Sequence, residues 1–127
     1  YEQAARLDPD NPAAKLGQFD AILQFARTRA VADPAQLRAL ERIIEEVAAK
    51  DPRREAGFRH RVVLMLLDKR DPSAVDRWAV ELLTLDALPD RPRGGLTDDQ
   101  RIDLILLLRK KLERPSPELA ELLIGSR

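Results

Sequence analysis

Asp33-Pro-Ala-Gln-Leu-Arg-Ala-Leu-Glu-Arg-Ile-Ile-Glu-Glu-Val-Ala-Ala-Lys-Asp51-Pro52 is the stretch on which the fold turns. Leu37, Leu40, Ile44, Val47 and Ala48 recur with the helical period and share one face, while Arg38, Glu41, Arg42, Glu45 and Glu46 lie largely opposite. Asp33 offers a carboxylate to the free N–H groups of a first turn. Pro34 fits the first helical position, where a missing N–H costs nothing. A second Asp-Pro pair then closes the segment. The stretch predicts one amphipathic helix, bounded at both ends.

The same punctuation recurs along the chain as Asp8-Pro9, Asn11-Pro12 and Asp71-Pro72, and Ser116-Pro117 repeats the device with a hydroxyl. Thr97 with Gln100 has capping-box spacing. Between these marks the apolar period predicts helices over 12–30, 34–50, 53–69, 72–85, 98–113 and 117–124. The third and fifth are apolar over broad arcs, Phe58 to Leu67 and Ile102 to Leu112, as expected of inner members that touch neighbours on two sides. Trp78 shares a face with Val75, Leu82 and Leu85 and is expected in the core. The helices opened by Pro34 and Pro72, 38 residues apart, match at Leu37 with Val75, Leu40 with Trp78, Ile44 with Leu82 and Val47 with Leu85. That spacing suits a repeated helix pair.

Bulk composition agrees. The 127 residues fit one domain, and 44% hydrophobic with only 4% aromatic residues means a core of Leu, Ala, Ile and Val. No segment alternates long enough to read as a strand. The formal net charge is zero, without the basic excess of a nucleic-acid binder. The absence of Cys rules out disulfides, thiolate metal sites and a cysteine nucleophile, and leaves the compartment undecided. No apolar run nears the roughly 20 residues of a membrane span. Tyr1 is not an initiator Met, so the chain reads as cut from something larger, and its Ala-, Arg- and Leu-rich composition reads as bacterial.

The first dozen residues carry a family resemblance. Tyr1, Ala4, Leu7, Asp8 and Pro9 stand in the order in which a tetratricopeptide repeat closes its second helix, and Asn11-Pro12 opens the next. Leu16-Gly17 is similar to that family's Leu-Gly pair but arrives about two residues early, and the later helices lack its Trp, Tyr and Ala landmarks. The segment thus resembles a tetratricopeptide repeat, which implies a superhelix that binds peptides or proteins on its concave side. The fold expected is all-α: stacked antiparallel helix pairs, an α-solenoid. Residues 1–86 would form tetratricopeptide-like repeats, 87–96 a connecting loop and 97–127 a capping helix pair of the same domain.

Candidate chemistry is sparse. His60, the single His, has no nucleophile or orienting acid beside it in the sequence, and a surface or helix-edge position is its default. Neighbouring carboxylates such as Glu45-Glu46 and Asp98-Asp99 diverge by about 100° on a helix and suit caps and the helix dipole better than a metal. No enzyme activity, cofactor or metal is expected. The candidates for partner binding are basic: Arg53, Arg54, Arg59 and Arg61 on the third helix, and Arg91 and Arg93 in the Pro- and Gly-rich connection. Two readings compete for the third helix. Its arginines pair across a seam with Asp71, Asp76, Glu81, Asp86 and Asp90, or they capture an acidic partner. The last two helices have a helix-turn-helix flavour, but Glu118 and Glu121 on the second argue against DNA. The expected function is a non-enzymatic protein-interaction scaffold for a protein or peptide partner, with a homo-oligomer compatible. The alternative is a purely structural domain of a larger enzyme or of a secretion or assembly component.

Overall fold

A computed structural model describes residues 12–29, 33–69, 71–86 and 96–125. Among them the chain is all-helical, with six α-helices and no strand: α1 Pro12–Arg27, α2 Pro34–Lys50, α3 Glu55–Leu66, α4 Pro72–Asp86, α5 Asp98–Lys111 and α6 Pro117–Gly125. The Asn11 cap expected before Pro12 and the resemblance over residues 1–11 lie outside the described residues, as does most of the 87–96 connection. No described helix is long and apolar enough to cross a membrane.

The caps form as their chemistry dictates. Asp33 is extended and accepts the Ala35 N–H at 2.9 Å. Asp71 accepts Ala74 N–H at 3.1 Å. Thr97 and Gln100 close the full capping box, Gln100 N–H to Thr97 Oγ1 at 3.1 Å and Thr97 N–H to Gln100 Oε1 at 3.0 Å. Ser116 Oγ accepts Leu119 N–H at 3.2 Å.

Two helices, α1 and α3, differ at their ends from the periodicity. The segment expected as one helix over 53–69 opens with a 3-10 turn, Pro52–Arg54, before α3 begins. It closes early because Asp68 and Lys69 donate three residues back, to Met65 and Leu66 carbonyls, and so tighten the last turn. α1 likewise ends at Arg27, since Thr28 and Arg29 donate to Phe25 and Ala26. Apolar spacing reports a helical face, not the hydrogen-bond register in which the helix ends.

One core joins all six helices: Phe19 and Leu23 of α1, Leu40 and Ile44 of α2, Val62 and Leu66 of α3, Trp78 and Leu82 of α4, Leu104 and Leu108 of α5, and Leu119 of α6. α1 packs on α2 and α3, α2 also on α3, α3 on α4, and α4 on α6. Phe19 meets Phe58 edge to face with centroids 4.7 Å apart, a favoured ring geometry. Trp78 is wholly buried, as expected. α3 is covered on two sides, with Ala56, Phe58, Val62, Val63, Met65 and Leu66 all inside. α5 is not: Leu104, Ile105 and Leu108 are buried, but Ile102 and Leu106 are 55% and 57% exposed. Its broad apolar arc is half core and half surface.

Candidate functional site

The basic segment divides into three environments. Arg53 and Arg54, on the exposed 3-10 turn, both turn back to Asp51, with Nε–carboxylate distances of 3.0 and 3.3 Å. The Arg53 hydrogen bond, with the nearby Arg53 and Arg54 charges, holds the Asp51 carboxyl below the usual range.

Arg59 points the other way, into the protein, with its side chain only 8% exposed. One turn back on α3, Glu55 accepts its Nε at 2.8 Å. From α4, Glu81 accepts Nη1 at 2.8 Å, and Glu41 of α2 stands at 3.5 Å from the same nitrogen. The guanidinium also lies 5.5 Å from the Trp78 ring centroid, within reach of its π face. Burial, followed by the charge of Glu41, pushes the Glu81 carboxyl up, against the pull of Arg59 and Arg77. Arg59 therefore ties α2, α3 and α4 together. Of the other acidic residues weighed against this helix, Asp76 accepts from Ser116 and Asp86 from Leu96 N–H and Arg101.

Arg61 takes a third course. It pairs with Asp20 of α1 and lies over the Phe19 ring at 5.2 Å, yet its side chain stays 40% exposed. Together with Arg54 it flanks a groove of about 460 Å³, floored by Leu16, Gly57 and Phe58 and completed by His60 and by Gln100 of α5. Gly57 matters here: a Cβ placed on it would meet nothing within 4 Å, so the backbone lies open at that point. His60 is half-buried, and burial lowers its pKa below the ordinary value. At neutral pH it is an uncharged imidazole in a groove that also holds Arg54 and Arg61.

The groove thus joins two permanent cations, a neutral donor and acceptor, a side-chain amide and an apolar floor. That set can hold a carboxylate beside an apolar side chain, since guanidinium groups bond carboxylates in pairs and keep their charge at any working pH. Of the residues proposed from sequence, Arg54 and Arg61 meet in this groove. Arg53 does not line it and pairs with Asp51, Arg59 is inside the protein, and Arg91 and Arg93 lie outside the described residues. Leu16, Gly57 and Gln100 were not anticipated. They come from helices far apart in sequence, and no local pattern connects them. Among the described residues no group of three or more His, Cys, Asp and Glu is placed to hold a metal ion. Compared with known proteins, the chain matches no family model, and no curated protein or solved structure matches it significantly.

Proposed function

We propose that this chain is a non-enzymatic protein-interaction module built from antiparallel helix pairs, and that its α1–α3–α5 groove receives an acidic segment of a partner protein. The observation that carries the reading is the groove itself: three alternate helices contribute to one cationic cleft with an apolar floor. Side-chain contacts support the helix-pair arrangement. Lys15, early in α1, pairs with Glu46, late in α2, as neighbours running in opposite directions would. Asp20 with Arg61, and Arg27 carbonyl with Lys69 Nζ at 2.6 Å, match the course of α1 to that of α3. A stack in which every second helix runs alike and lines one side fits the resemblance to tetratricopeptide repeats at residues 1–12.

A purely structural role is the second reading, and a specific observation favours it. Arg54 and Arg61 already have carboxylate partners within the chain, Asp51 and Asp20. Exposed pairs of this kind contribute about 0–1 kcal/mol, so a partner's carboxylate can displace them at little cost.

Titration calorimetry separates the two readings. Short peptides that combine Glu with Leu or Phe are compared with versions in which Lys replaces Glu. The interaction reading expects binding of the acidic set alone, weakened about tenfold or more by the double change Arg54→Glu and Arg61→Glu, which is a loss of roughly 1.4 kcal/mol or more. Equal binding of both peptide sets, or none of either, leaves the structural reading standing.

A further inference from the structure

α5 carries a second surface, on the side away from the groove. Asp98, Asp99, Ile102, Leu106, Arg109 and Lys110 are all exposed. With about 100° per residue they fall within one arc of roughly 120°, clear of the arc that buries Leu104, Ile105 and Leu108. The arc has an order. Acidic residues occupy its first turn, the two apolar side chains its middle and basic residues its last turn.

We propose that this face of α5 docks on the same face of a second copy of the chain, the two helices running in opposite directions. The charge order selects that occupant. Turning one copy end for end sets Ile102 on Leu106 of the other, and Leu106 on Ile102. The same register sets Asp99 opposite Arg109 and Asp98 opposite Lys110, twice over by the two-fold symmetry. A self-complementary patch is what an isologous interface needs. The helix dipoles also oppose each other in this arrangement and add to the attraction. Arg109 keeps an internal bond, Nη2 to the Leu123 carbonyl at 3.0 Å, which holds its guanidinium at the end of the stripe. Ile124, the residue after Leu123 on α6, is 61% exposed.

The contact is modest in size. Fourteen residues make a helix about 21 Å long. That length covers less than the roughly 1,200 Å² typical of stable complexes, so the dimer is expected to be a weak one. The proposal uses a different surface from the groove and stands or falls independently of it.

Sedimentation velocity over a concentration range up to about 1 mM tests it. The full chain is expected to shift from monomer to dimer across that range, and Leu106→Glu to weaken association at least tenfold while circular dichroism stays unchanged. Two charge variants then test the register. One carries Asp98→Lys and Asp99→Lys, and the other Arg109→Glu and Lys110→Glu. Each alone sets like charges together and is expected to stay monomeric, whereas an equimolar mixture recovers dimers. A chain that stays monomeric throughout overturns the proposal. So does association that Leu106→Glu leaves unchanged, or a mixture that associates no better than its parts.

Discussion

Arg59 sits among three carboxylates, and removing it leaves Glu41, Glu55 and Glu81 facing one another beside an uncovered Trp78 ring. Breaking a fully buried ion pair costs about 3–5 kcal/mol. Here Glu81 is 41% exposed and can turn to water, so Arg59→Met is expected to lose about 2 kcal/mol in urea unfolding. A loss below about 0.5 kcal/mol would show that the cluster is ordinary surface pairing. The distinction between this arginine and its neighbours was partly legible. Arg54 and Arg61 are seven residues apart and return to nearly the same face, whereas Arg59 lies about 200° round from Arg61. Treating the run as one basic face merged an inward residue with two outward ones. Which of the two faces is covered depends on Glu81 and Trp78, and no local pattern announces that.

At the scale of elements, sequence reading worked where the physics is local. Asp33, Thr97 and Ser116 are caps because their side chains reach N–H groups two or three residues on, and that reach is visible in the spacing. It failed where two elements must meet. Asp76 accepts both the Ser116 N–H, at 2.6 Å, and the Ser116 hydroxyl, at 2.7 Å, across 40 residues, and so docks the start of α6 on α4. The broad apolar arc of α5 was likewise plain, but periodicity could not tell a covered flank from an open one. Gly57 offers a test on α3. Its missing Cβ is needed by no neighbour, and Gly in a helix costs nearly 1 kcal/mol against Ala. Gly57→Ala is expected to raise stability by about 0.5–1 kcal/mol. Gly57→Leu would keep the fold and fill the groove, so peptide binding should fall without a drop in melting temperature. Destabilisation by Ala would mean that α3 is held more tightly there than the open space implies.

Across the whole molecule, the all-helical class was readable from composition and caps, while the meeting of Leu16, Phe58 and Gln100 in one cleft depends on how α1, α3 and α5 pack. Asp86 governs part of that assembly. At the end of α4, with its side chain 3% exposed, it accepts Leu96 N–H at 3.1 Å and Arg101 Nε at 2.5 Å. The start of α5 is therefore moored directly to α4, whatever the length of chain that joins them. For a flexible connection between two moored points, added length enters stability through closure entropy, and each doubling costs about 0.6 kcal/mol. Nine Gly/Ser residues inserted between 90 and 91 should accordingly lower the melting temperature by only a few degrees. The same insertion made with Asp86→Ala should cost more than the two changes measured apart, because α5 would then depend on its tether. Simple additivity would show that the core alone positions α5. With Asp86 holding Leu96 and Arg101, a whole domain inserted in this connection is expected to leave the start of α5 docked on α4.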